Sequence, residues 1–228
     1  MAWYTTNRNQ QKRAQCLKSL GDILCMQYKY SEAREPLEAA LAQYSAIGDQ
    51  QGTAACLQSL GGMLHREHKY SDAREKLEDA LAWYTANRDQ LGRAQCLWSL
   101  GDILQMEEKY SEARKPLAAA LAQYSAIGDQ QGRAVCLQSL GGILCRECKY
   151  SEARKKLVDT LAQYTANGDQ LGRAQCLWSR GDTLHMEDQY SEAKETLEAA
   201  FAQYSAIGDQ QGTAACLQSL GGMLCREG

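Results

Sequence analysis

Apolar positions fall into two stripes that alternate along the chain. Ala54, Leu57, Leu60, Gly61 and Leu64 stand three or four residues apart, which predicts a helix from about residue 50 to 67 with these residues on one face. Tyr70, Ala73, Leu77, Ala80, Leu81 and Tyr84 predict a second helix close behind it. Forty residues on, both stripes return as Leu97/Leu100/Gly101/Leu104 then Tyr110/Ala113, and again as Leu137/Leu140/Gly141/Leu144 then Tyr150/Ala153. They also recur at Leu17/Leu20/Gly21/Leu24 then Tyr30/Ala33, at Leu177/Gly181/Leu184 then Tyr190/Ala193, and at Leu217/Leu220/Gly221/Leu224. A period of this size predicts helix pairs stacked end to end, with no single central core. The expected organisation is one repeat domain over 1–228, with units at about 10–48, 49–88, 89–128, 129–168 and 169–208 and partial units at 1–9 and 209–228.

The ends of these helices carry their own signals. Asp49, Asp89, Asp129, Asp169 and Asp209 precede the first helices, where a carboxylate accepts from free backbone donors and meets the positive end of the dipole. Ser71 is expected to cap the second helix. Gly48, Gly128, Gly168 and Gly208 end second helices as left-handed residues; Arg88 fills that slot in one copy, so Asn87 is expected to make the turn there. Small residues such as Gly61, Ala73 and Ala80 predict close approach of paired helices. Trp3–Arg8 matches Trp83–Arg88, which predicts a chain that opens late in a second helix and stops after a first helix, with no polar cap at either end.

The run Leu-x-x-Leu-Gly-x-x-Leu, then Tyr-x-x-Ala-x-x-x-Leu-x-x-Ala-Leu, resembles the tetratricopeptide repeat over essentially the whole chain. The copies depart from the 34-residue form. Leu57 stands where that family favours tryptophan, no proline follows the second helix, and a longer turn between units ends in Gly-Asp. The forty-residue length is similar to Pins-type adaptors, kinesin light chains and the repeat tails of fungal NOD-like receptors. Residues 42 to 64 recur letter for letter as 202 to 224, a sign of recent duplication. The resemblance implies an all-α, right-handed superhelical solenoid of tandem helix-turn-helix repeats.

Composition narrows the function. The chain has 228 residues and a formal charge of −3, with acidic and basic residues mixed in every unit, which disfavours nucleic acid or anionic membrane as a partner. No apolar run approaches the roughly 20 residues of a membrane span, and Met1–Tyr4 opens no signal peptide. Of ten cysteines, six (Cys16, Cys56, Cys96, Cys136, Cys176 and Cys216) are one repeated position. Neighbouring copies at a helix-packing distance of about 10 Å exceed the roughly 7 Å limit for a disulfide. They read as small buried groups in a reducing, cytoplasmic setting.

By the resemblance, first helices line an inner wall whose non-core positions face a protein or peptide ligand. The candidate residues are Asp22, Met26, Gln58, His65, Arg66, Trp98, Asp102, Met106, Gln138, Arg146, Trp178, Asp182 and Met186. They alternate with a two-unit period, so Asp22, Asp102 and Asp182 interleave with Gly62, Gly142 and Gly222, and Met26, Met106 and Met186 with Arg66, Arg146 and Arg226. Trp98 beside Asp102, and Trp178 beside Asp182, suit a lysine or arginine, because ring face and carboxylate both attract a cation. Packing of either tryptophan across the next unit is the competing expectation. Two units span about 20 Å, so an extended ligand rising about 3.3 Å per residue would place its anchors roughly six residues apart. The asparagines with which chaperone-binding members hold a terminal carboxylate are replaced here by Asp and Gly, so that clamp does not carry over.

Catalytic and metal signals are weak. Cys145-x-x-Cys148 and His65-x-x-His68 each offer one turn-spaced pair with no second pair near, and no nucleophile, base and orienting acid assemble. No cofactor or metal is expected, and the Ser19 to Ser219 column reads as packing. Arg180 breaks the leucine column and must reach water or an acid; Arg180→Leu is expected to raise stability. The alternative to groove binding is self-assembly end to end through Leu217, Leu220 and Leu224.

Overall fold

A computed structural model describes the backbone of residues 2–166 and 168–227 and the side chains of 9–166 and 168–223. The described residues form helices α1 (Ala2–Met26), α2 (Tyr30–Ile47), α3 (Gln50–Arg66), α4 (Tyr70–Ala86), α5 (Gln90–Met106), α6 (Tyr110–Ile127), α7 (Gln130–Arg146), α8 (Tyr150–Ala166), α9 (Gln170–Met186), α10 (Tyr190–Ile207) and α11 (Gln210–Glu227). No strand occurs among them. The architecture is an α-solenoid of tandem helix pairs, and no described helix is long and apolar enough to cross a membrane.

Each aspartate cap forms as the sequence predicts. Asp49, Asp89, Asp129, Asp169 and Asp209 accept from the backbone N–H of Gly52, Gly92, Gly132, Gly172 and Gly212 at 2.8–3.0 Å. Three other features differ from expectation. Ser71 lies inside α4, and the N-cap residue is Lys69, without a side-chain bond. The turn before it decides this: His68 is left-handed (φ 60°) and the Lys69 N–H donates to the Leu64 carbonyl at 2.9 Å, so α3 closes and α4 opens within three residues. At the end of α4 the left-handed residue is Arg88 (φ 58°), while Asn87 stays at φ −94° and its side-chain amide donates to the Trp83 carbonyl at 2.9 Å. The break expected near residue 8 is missing, since α1 runs unbroken from Ala2. Lys12 stands where the later turns have a glycine whose Cβ would meet the preceding tyrosine ring, at 2.2 Å for Gly52 and 2.5 Å for Gly92, so the close turn of the later copies is not available here.

Two compact units make up the chain, Met1–Lys109 with α1–α5 and Tyr110–Gly228 with α6–α11. In the first, Ala33, Leu37, Leu60, Met63, Leu64, Ala73, Leu77 and Tyr84 form a continuous core. A Cβ on Gly61 would stand 2.6 Å from Leu77 Cγ, so glycine lets α3 and α4 approach this closely. In the second, α7 rests on both α8 and α9, and a Cβ on Gly141 would meet Leu157 and Ser179 only at 4.0 Å, a looser seat than Gly61 has. The cysteine column is free thiol and buried from Cys56 onward, and burial pushes these thiols up to about 11 at Cys56 and Cys216 and about 12 at Cys96, Cys136 and Cys176. Cys16 departs from the column by being exposed: α2 brings Tyr44 against Cys56, and nothing described plays that part for α1.

Candidate functional site

In the first unit, the candidate residues lie on successive first helices α1, α3 and α5. Between α1 and α3 opens a cleft of about 490 Å³ lined by Asp22, Cys25, Met26, Tyr28, Tyr30, Ser59, Gly62, Met63 and Arg66. Its opening follows from one residue type. Nothing stands within 4 Å of where a Gly62 Cβ would be, so the glycine leaves space that its aspartate counterparts would fill. Met26 and Tyr28 are 72% and 76% exposed, large apolar surface that burial by a ligand would remove from water. Asp22 is held by Lys18 Nζ at 2.7 Å, one helical turn back.

Deeper along the same wall, His65 Nε2 of α3 lies 3.5 Å from Asp102 Oδ2 of α5. Burial lowers the His65 pKa, with the Asp102 charge opposing and Arg66 adding to the fall. Burial raises the Asp102 carboxyl, opposed by His65 and Arg66. A carboxyl whose charge burial disfavours thus faces an imidazole whose charge burial also disfavours, with the Arg66 cation acting on both. Trp98 sits half-buried one turn before Asp102, and Met106 is exposed one turn after it. Arg66 is exposed. Gln58 is tied up: its carbonyl accepts from Tyr84 OH at 2.8 Å and its amide donates to Gln95 at 2.8 Å, a bridge joining α3, α4 and α5.

The second unit places Gln138, Arg146 and Met186 in the open and Trp178 and Asp182 half-buried. Burial raises the Asp182 carboxyl, with His185 opposing. Trp178 packs between the two local cores, and its indole N–H donates to Ser219 Oγ of α11 at 3.2 Å, so this ring does reach the following repeat. Gln138 makes no bridge like that of Gln58, and the Tyr164 hydroxyl is buried without a partner among the described residues. The side chain of Arg226 lies outside the described residues.

Both turn-spaced ligand pairs have other partners. His68 Nδ1 lies 2.8 Å from Tyr70 OH, Cys145 Sγ 3.1 Å from Thr183 Oγ1, and Cys148 Sγ accepts from Tyr150 OH at 3.6 Å. Arg180 reaches an acid, with Nη2 2.5 Å from Glu192 Oε1, while its Nε stays buried without a partner among the described residues.

One recurring device was absent from the expectations. Arg34, Arg74, Arg114 and Arg154 of the second helices pair with Glu67, Glu107, Glu147 and Glu187 in the turn of the next helix pair, at 2.6 Å for the first, 3.6 Å for the second and 3.2 Å for the last. Lys69, Lys109 and Lys149 join the same glutamates at 3.0, 3.4 and 3.2 Å. The signal was available as arginine and glutamate columns sharing the forty-residue period. Tyr28 and Tyr30 of the cleft were likewise not anticipated as candidates.

The family model described as tetratricopeptide repeat matches residues 12–86, 53–126 and 133–206. Among solved structures, the chain is similar to a Podosopora anserina protein of nearly identical TPR-like repeats described as a kinesin light chain. That match has a TM-score of 0.72 and 17% identity, covering 87% of this chain and 97% of that one. It is also similar to BtubC (BKLC) from P. vanneervenii, with a TM-score of 0.73, 16% identity and 91% and 86% of the two chains covered. A Rap protein complexed with Competence and Sporulation Factor matches at a TM-score of 0.68 and 16% identity, over 91% of this chain and 64% of that one. At such identities the likeness is one of fold. No curated protein matches the sequence.

Proposed function

The chain belongs to the tetratricopeptide repeat family, and from that premise we propose that it is a non-catalytic scaffold holding an extended peptide or protein segment against its first helices. The observation that carries this reading is the α1–α3 cleft, where exposed Met26 and Tyr28 and a glycine floor leave room for a side chain from outside. Within the fold, the Rap protein complexed with Competence and Sporulation Factor is a precedent for capture of a partner.

The chemistry of the wall suggests what it prefers. Burial raises the Asp102 and Asp182 carboxyls, and a lysine or arginine from a ligand would add a cation beside each that favours its charged form. Trp98 and Trp178, one turn away on the same helices, add apolar surface beside that charge. Met26, Met106 and Met186 adapt to varied apolar neighbours.

An array of random twelve-residue peptides probed with the intact chain tests this. Peptides carrying lysine or arginine beside an apolar residue are expected to bind, with roughly tenfold or greater loss when Asp102→Ala and Asp182→Ala are combined. Gly62→Trp, which fills the cleft, is expected to remove a further set. An unchanged binding profile in both variants overturns the reading.

A further inference from the structure

Cys145 and Cys148 form the one Cys-x-x-Cys of the sequence; any other two of its ten cysteines are at least nine residues apart. The same two positions hold Cys25 and Tyr28, His65 and His68, Gln105 and Glu108, and His185 and Asp188 in other copies, so the pair belongs to the fourth unit alone. Both thiols stand where α7 ends. Cys145 is half-buried, Cys148 is exposed, and both are free. The Cys148 N–H donates to the Cys145 carbonyl at 3.0 Å. A four-residue turn closed in this way keeps its end Cα atoms within about 7 Å, a span that a disulfide can bridge. Each sulfur has another partner. Thr183 Oγ1 of α9 donates to the Ser179 carbonyl at 2.7 Å, so in its 3.1 Å contact with Cys145 Sγ the thiol is the donor. Cys148 Sγ accepts from Tyr150 OH at 3.6 Å, whereas His68 and Asp188 in that column meet their tyrosine hydroxyls at 2.8 and 2.6 Å. Sulfur is the weakest acceptor of the three.

We propose that Cys145 and Cys148 are a redox-active dithiol, which a low-molecular-weight disulfide such as oxidised glutathione converts to an internal disulfide. Exposure sets the order of steps. Cys148, open to solvent, loses its proton and attacks one glutathione sulfur; the glutathione S–S bond breaks and one glutathione leaves as thiolate. Cys145 then loses its proton and attacks the Cys148 sulfur of the mixed disulfide, which releases the second glutathione. The two protons end on the two glutathione thiolates, so two cysteine thiols are oxidised and one glutathione disulfide is reduced. Burial raises the Cys145 thiol, which makes it the poorer first nucleophile and leaves it the resolving role. Closure removes the S–H that Cys145 donates to Thr183, so oxidation deletes a polar contact between α7 and α9. Cys136, nine residues back, is 0% exposed and out of reach of the oxidant. The peptide reading uses neither thiol, so the two fail separately.

The test holds the intact, reduced chain in a buffer of equal oxidised and reduced glutathione, blocks free thiols with iodoacetamide in urea, and reads tryptic fragments by mass spectrometry. Trypsin cuts after Arg146, between the two cysteines, so the internal disulfide ties fragment 134–146 to fragment 147–149. That linked pair is expected in most chains, with Cys136 alkylated. Cys16, exposed but without a neighbouring cysteine three residues away, should carry a mixed disulfide at most. Cys148→Ser is expected to lower the linked fraction at least about tenfold and leave Cys145 alkylated, while Cys145→Ser should stop at glutathione on Cys148. Serine keeps the size of the side chain, so far-UV circular dichroism should be unchanged in both variants. Full alkylation of Cys145 and Cys148 in the unaltered chain overturns the proposal. So does a link through Cys136, a link between two chains, or glutathione retained on Cys148 while Cys145 is present.

Discussion

At the scale of single residues, the same letter in the same column does different work in different copies. Gln58 bridges three helices while Gln138 is exposed, and Gly61 touches Leu77 while Gly141 has slack. Position 180 is the sharpest case. Its column holds Leu60, Leu100 and Leu140 at 4–8% exposure, but Arg180 turns outward to Glu192, which is half exposed, and strands its Nε. An exposed pair of this kind contributes about 0–1 kcal/mol, whereas burying a leucine contributes about 1.5–3 kcal/mol. Arg180→Leu is therefore expected to raise stability by about 1 kcal/mol, read as a higher thermal midpoint; a lower midpoint would show the ion pair to be worth more than the packing it displaces.

At the scale of elements, turns and ion pairs hold one helix pair to the next. Left-handed residues recur at every described link between helices: glycine at Gly48, Gly128, Gly168 and Gly208, but Tyr28, His68, Arg88, Glu108, Cys148 and Asp188 elsewhere. For a non-glycine residue that conformation costs about 1 kcal/mol, so the surrounding helices impose it. One rung of the glutamate ladder, Glu67, carries a pH dependence. Lys69 first, and then Arg34, hold the Glu67 carboxyl below its ordinary value against the opposing effect of burial. A carboxyl lowered in the folded state contributes stability that is present above its unfolded pKa and is lost as pH falls through the folded one. Urea titrations from about pH 6 down to about pH 3 should show a falling midpoint, and Glu67→Gln should flatten that fall while costing about 0.5–1 kcal/mol at neutral pH. An unaltered pH slope would remove the Glu67 pairing from the account of stability.

For the molecule as a whole, near-identical repeats make stability close to a sum of local terms. Residues 89–99 and 169–179 are identical, so deleting 89–168 leaves the junction after Arg88 unchanged in sequence. The shortened chain is expected to remain helical and to unfold with a denaturant slope roughly a third smaller, since the slope follows the surface exposed. Collapse of its helical signal would show that the deleted helices hold the remainder together.

The linear chain determined the helices, their order, the aspartate caps and the family, because three- and four-residue spacing and capping chemistry act within one turn and need no distant partner. It placed Arg88 and Ser71 wrongly because a tight turn is settled by the two helices it joins. Only the tertiary structure decided that Trp178 would bond to Ser219, that His65 would meet Asp102 and that Gly62 would open a cleft beside Met26. These contacts join residues about one period apart, and their geometry depends on how each helix pair settles on its neighbour.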